Sequence, residues 1–254
     1  MVLLELNQYP GCFICGAGST LAIFKFNSVK GTLECISEKV SSFHFIISLD
    51  SCEDKIAVGD VIDSLQLFKF TKKNPENNTP LSFKIERIGK SLDCKSASVV
   101  LFIDKNTILV ADDKGNLIAF SAKEKNYTND SIFRKDMLPL SGFKIGERVT
   151  MMKLGSLVRF SMHSIDSEYQ QLPISQSVMY VTNIGSIGIL LMSEKESTIQ
   201  FLKNIEIALD KTLDPIGGIS RIEYRNSWKK HNISTGLMRK SNEQVTGFID
   251  IDYL

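Results

Sequence analysis

What the sequence has little of narrows it first. No apolar run approaches the roughly 18–20 residues that a membrane span requires. The opening Met1-Val2-Leu3-Leu4-Glu5 has no basic stretch and no small-residue cleavage site, so the chain reads as intracellular, with no membrane partner. Cysteines are few: Cys12, Cys15, Cys35, Cys52 and Cys94 form an odd, uneven set that fits free thiols in a reducing compartment and not a disulfide framework. Asn-x-Ser/Thr matches such as Asn126-Tyr127-Thr128 then carry no glycan meaning. An excess of either charge is also missing. With 30 Lys plus Arg against 29 Asp plus Glu, no global field steers the chain to nucleic acid or an acidic membrane. There are only three histidines, His44, His163 and His231, and no Ser or Cys elbow lies near them in the sequence. The chain therefore reads as a non-enzyme, with no catalytic residue, metal or cofactor; a hydrolase on the same fold is the rival this disfavours.

What is present is a repeat. Apolar residues make up 43% of the chain, enough for a sizeable core. Four segments share an apolar strand, a tight polar or Gly turn and a second apolar strand: Cys12–Phe26, Lys55–Phe70, Thr107–Ala122 and Ser177–Met192. A short apolar strand precedes each (Val2–Leu6, Phe43–Leu49, Ser98–Ile103, Val149–Phe160). A weaker, more polar strand follows the first three (Thr32–Ile36, Leu81–Ile88, Ser131–Met137). Four-stranded antiparallel units with an inner-to-outer polarity gradient predict an all-β fold, a partial β-propeller of about four blades over residues 1–192, in preference to a β-sandwich. From 193 to 254 the pattern becomes helical. Ser193-Glu194-Lys195-Glu196 reads as a capping box, and Ile199, Leu202, Ile205, Leu209 and Leu213 recur at helical spacing up to Asp214-Pro215. A second helix is expected from Gly218 to Lys230, and the apolar ending Tyr253-Leu254 suggests a helical domain cut short.

Several motifs dissolve on inspection. Cys12-Phe13-Ile14-Cys15 is half a zinc knuckle, but strand residues three apart face opposite ways and no second pair follows. Gly16-Ala17-Gly18 precedes a strand, where a dinucleotide loop needs a helix. Asp112-Asp113-Lys114-Gly115-Asn116 lacks the terminal Glu of a calcium loop and reads as a tight turn. Arg221, Arg225 and Lys229 form a basic stripe on the second predicted helix. A solvated helix face outweighs a phosphate site there, leaving nucleic acid as an indirect or weak contact at most. Apolar residues in turns, Val61-Ile62 and Ile184, are more informative, because the turns of one propeller rim are a natural partner surface.

Five stretches in order resemble one family: Val58-Gly59-Asp60-Val61-x-x-Ser64-Leu65-x-Leu67, Phe143-x-Ile145-Gly146-Glu147-x-Val149, Gly155-Ser156-Leu157-Val158, Gly185-Ser186-Ile187-Gly188 and Thr246-Gly247-Phe248-Ile249-Asp250-x-Asp252. The family includes the cleavage and polyadenylation factor A subunit, the large subunit of the damage-specific DNA-binding protein and a related splicing factor subunit. The third and fifth stretches look most like the damage-binding branch, a cullin ubiquitin-ligase adaptor with fungal genome-stability relatives. The resemblance implies later blades of a third propeller in a longer nuclear protein, with substrate-receptor proteins bound at the rim and a cullin held by regions outside this chain. It places the partner-binding rim at Ile47, Val61, Asp63, Ser96 and Ile184. Val61, Asp63, Ser96 and Ile184 differ there from the adaptor's residues, and Ile251 replaces a family Gly, so the same receptors are not implied. An RNA-processing subunit of the same family is the alternative.

Overall fold

A computed structural model describes residues 1–6, 8–73, 81–91, 96–123, 136–137, 139–155, 174–193, 195–212, 215, 217–227 and 248–249. Blade 1 contains β1 (Val2–Glu5), β2 (Cys12–Ala17), β3 (Thr20–Asn27) and β4 (Thr32–Cys35). Blade 2 contains β5 (Ile46–Cys52), β6 (Lys55–Asp60), β7 (Ser64–Lys72) and β8 (Phe83–Ser91). Blade 3 begins with β9 (Ala97–Asp104), β10 (Thr107–Asp112) and β11 (Asn116–Ser121). A two-residue strand, β12 (Asp136–Met137), then returns to blade 2, and β13 (Pro139–Lys144) completes blade 3. Blade 4 has β14 (Val149–Leu154), β15 (Ile174–Thr182) and β16 (Ile187–Ser193). Within each blade, strands consecutive in this order pair antiparallel, as the repeat predicts for a four-blade arc.

The outer strand of blade 3 departs from expectation. Its anticipated position was Ser131–Met137, of which residues 131–135 lie outside the described residues. Asp136 and Met137 instead pair in parallel with Lys90 and Ser91 of β8. Met137 buries its side chain in the core between blades 2 and 3, against Gly89, where a Cβ would lie 2.8 Å from its Cγ and Sδ. The true outer strand starts at Pro139, tolerated because an edge strand's first residue has no ladder bond to lose. From it Leu140, and Ile145 just beyond, pack on the core between blades 3 and 4.

Blade-to-blade contact is apolar. Ile14, Leu21 and Ile23 of blade 1 meet Ile46, Ile56, Val58, Phe68 and Phe83 of blade 2. Leu65 and Leu67 of blade 2 meet Val100, Phe102, Val110 and Phe120 of blade 3, and Leu109 and Leu117 of blade 3 meet Val149, Met152 and Val178 of blade 4. Burying each such side chain is worth about 1.5–3 kcal/mol. The second strand of blade 2 approaches the first strand of blade 3 so closely that a Cβ on Gly59 would lie 3.1 Å from the Ala97 carbonyl oxygen. Side chains of β5 satisfy the exposed edge of β9: Val100 N–H donates to Ser48 Oγ (3.0 Å) and Phe102 N–H to Asp50 Oδ2 (2.6 Å). Burial pushes the Asp50 carboxyl up despite these bonds.

Past blade 4 come α1 (Glu196–Thr212) and α2 (Arg221–Arg225). On α1 the predicted face, Ile199, Leu202, Ile205 and Leu209, is the half-buried one, while Phe201 and Ile207 are exposed; Leu213 is outside the described residues. The Ser193 hydroxyl has no partner, so it does not cap this helix, and the Lys195 carbonyl accepts from Thr198 and Ile199 N–H. Ser220 caps α2 by accepting from Glu223 N–H. The described helix is shorter than expected, and residues 228–230 are outside the described residues.

Candidate protein-interaction rim

One rim of the arc is built from the turn after each blade's second strand and the start of its first strand. The turn-opening residues Asp60, Asp112 and Thr182 bind the turn backbone. Asp60 is fully buried and accepts four backbone N–H groups, from His44 (2.8 Å) and Phe45 (3.0 Å) at Oδ2 and from Ile62 and Asp63 (both 2.8 Å) at Oδ1. Asp112 accepts from Lys114 N–H (2.9 Å), Asn116 N–H (2.8 Å) and the Asn116 side-chain amide (2.6 Å). This is the turn chemistry predicted for Asp112–Asn116. Thr182 Oγ1 accepts from Ser186 N–H (3.1 Å) and donates to Glu147 Oε2 (2.7 Å).

On that frame the five proposed rim residues take different positions. Ile47 is the bulge residue between Ile46, opposite Asp60, and Ser48, opposite Gly59, and is half-buried. The equivalent bulges of blades 3 and 4 carry Ser98 and Thr150, whose hydroxyls bond the Ala111 and Val181 carbonyls; Ile47 offers only apolar surface. Val61 is 40% exposed, and its N–H donates to the Phe45 carbonyl. Ser96 is 8% exposed, its carbonyl accepting from Asp113 N–H. Ile184 is 70% exposed in the blade 4 turn. Ile62, singled out with Val61 in the sequence, is 58% exposed, and one residue was missed: Phe45, 51% exposed beside Val61. Aligning Asp60 with Thr182 puts Ile62 and Ile184 at the same turn position, a signal already present in the repeat.

Asp63 sits at the border of this apolar group. Its Oδ1 is 2.9 Å from Lys90 Nζ and its Oδ2 is 3.3 Å from His44 Nδ1, which is also 3.8 Å from Asp60 Oδ1. The Lys90 hydrogen bond holds the Asp63 carboxyl below its usual range. His44, Asp60 and Asp63 are close enough together to hold a metal ion. The Lys90 ammonium already supplies the cation beside Asp63, however, and Asp60 spends its lone pairs on backbone N–H groups. The arrangement is a charged clasp on the turn.

The basic stripe is divided. Arg225 turns inward: its guanidinium donates to the Lys144 (2.8 Å) and Ile145 (3.2 Å) carbonyls and lies 4.7 Å from the Phe143 ring centre. Arg221 opens α2, and Lys229 lies outside the described residues. The Phe248 ring packs tilted against Phe143 with ring centres 5.5 Å apart, so a residue of the fifth stretch touches one of the second.

Compared with known proteins, residues 3–254 match the family described as the CPSF A subunit region. The chain is 21% identical over 237 residues to a probable splicing factor 3B subunit 3 from Dictyostelium discoideum, covering 87% of this chain and 17% of that protein. It is 22% identical over 244 residues to spliceosome-associated proteins 130 A and 130 B from Arabidopsis thaliana, covering 89% of this chain and 18% of each. The chain thus spans under a fifth of the length of these relatives.

Proposed function

This chain belongs to the CPSF A subunit family, and on that premise we propose that it is part of a non-enzymatic protein-interaction scaffold for RNA processing in the nucleus. The observation that carries this reading is the family match over residues 3–254 together with relatives named as splicing and spliceosomal proteins. The rim supports it physically. Phe45, Val61 and Ile62 form an apolar centre bordered by the Lys90–Asp63 pair, the layout of a protein-binding patch, and Ile184 presents a second apolar residue in the blade 4 turn of the same rim. Binding draws on shape and apolar burial, with proteins as the partners and nucleic acid held indirectly.

A cullin-ligase adaptor binding substrate receptors is the second reading, supported by the likeness of Gly155–Val158 and Thr246–Asp250 to that branch. One experiment decides between them: affinity purification of the tagged protein from its native source. Recovery of pre-mRNA-processing proteins is the expected result. Recovery of a cullin ligase without them would overturn the RNA-processing reading in favour of the adaptor.

A further inference from the structure

We infer that α2 is a built-in part of the rim and that Arg225 is a positioning residue for the blade 4 turn carrying Ile184. The link runs through the segment from Lys144 to Arg148, which joins blades 3 and 4. On its inner side, the blade 3 turn holds this segment, because the Gly115 carbonyl accepts from Ile145 (2.8 Å) and Gly146 (3.1 Å) N–H. On its outer side, Arg225 takes the Lys144 and Ile145 carbonyls and stacks on Phe143. Tyr224 lies so close over Gly146 that a Cβ there would collide with its hydroxyl oxygen. On its far side, the segment fixes the blade 4 turn twice. The Arg148 carbonyl accepts from Asn183 N–H (2.9 Å), and Glu147 accepts from Thr182 Oγ1, whose oxygen in turn receives Ser186 N–H.

The joint is therefore clamped from two sides, and what it holds is the turn presenting Ile184. Planar guanidinium geometry lets one side chain bond two successive carbonyls while stacking on a ring. The carbonyls at the end of β13 and just beyond it, held this way, cannot tilt without straining both bonds. α2 is also tied to α1, since Ile222 N–H points at Asp210 Oδ1 (3.4 Å), so docking of the C-terminal helices reaches the rim through this path. The use of this device in partner binding rests on the reading under Proposed function; the mechanical link does not.

Hydrogen exchange on the full-length protein tests it. In R225A, Asn183 and Ser186 amides are expected to exchange at least tenfold faster, together with the amides of α2. In E147A, Ser186 is expected to quicken while α2 keeps its protection. If R225A fails to fold, Arg225→Lys keeps one carbonyl bond without the planar stack, and an increase of about threefold at Ser186 is expected. Loosening of α2 with wild-type exchange at Asn183 and Ser186 in a folded Arg225 variant overturns the inference. Partner recovery, measured in parallel, reports separately: a loosened turn with unchanged recovery leaves the positioning role intact and counts against the rim reading.

Discussion

At the scale of single residues, buried carboxylates organise the rim turns and give the sharpest expectations. Asp60 serves four backbone donors, so Asp60→Ala strands all of them and should cost about 3 kcal/mol or more, read by urea unfolding of the purified protein. Asp112 behaves differently. Burial holds its carboxyl above the ordinary range, more than the bonds from Asn116 and Lys114 pull it down. The folded state thus binds the proton more tightly than the unfolded chain. This contribution is whole below the ordinary carboxylate pKa and is lost as pH rises through the folded value. Asn116 Oδ1 is buried without a partner, so Asp112→Asn can be accommodated by turning the Asn116 amide to accept from the new one. D112N should be within about 1 kcal/mol of the parent at neutral pH and gain relative to it as pH rises from acid to neutral; D112A should lose about 2 kcal/mol. Unfolding curves at several pH values check the sign. Turn chemistry of this kind was legible in Asp112-Asp113-Lys114-Gly115-Asn116. The exposure of Phe45 was not, because it depends on Asp60 fixing the chain fifteen and sixteen residues earlier.

At the scale of elements, hairpins were readable because apolar alternation and a Gly, Asp or Asn turn are local signals. The path from β11 to β13 was not, because Met137 is drawn to a nonlocal site: the cavity over Gly89 on a strand of another blade. Met137→Ala should empty that site and cost about 2–4 kcal/mol in denaturant unfolding, a core-sized loss from a residue on a two-residue strand. A cost under about 0.5 kcal/mol would show the crossing to be surface decoration. The basic spacing of Arg221 and Arg225 was equally visible, yet spacing alone could not reveal that Arg225 faces two carbonyls and a ring.

At the scale of the whole molecule, the four-blade arc carries apolar surface on both outer faces. Blade 1 exposes Leu3, Phe26 and Leu33 around a groove of about 500 Å³ that Gly11, Phe13 and Gly31 also line. Blade 4 exposes Met151, Ile187, Ile189 and Leu191. Propeller blades normally cover such faces with one another. Produced as an isolated polypeptide, this chain is expected to self-associate with rising concentration, and Phe26→Lys with Leu33→Lys should reduce the effect in light scattering. A sharp, cooperatively unfolding monomer would contradict that picture. The propeller arc and its rim therefore follow from the repeat, whereas the branch of the family does not: Val61, Asp63, Ser96 and Ile184 stand at rim positions without naming what binds them. The most direct measurement of the central claim is recovery of RNA-processing proteins with the tagged protein from its native source, comparing the parent with Val61→Arg plus Ile184→Arg. The account predicts at least a tenfold loss of those proteins at unchanged scaffold abundance; undiminished recovery with the double variant would contradict it.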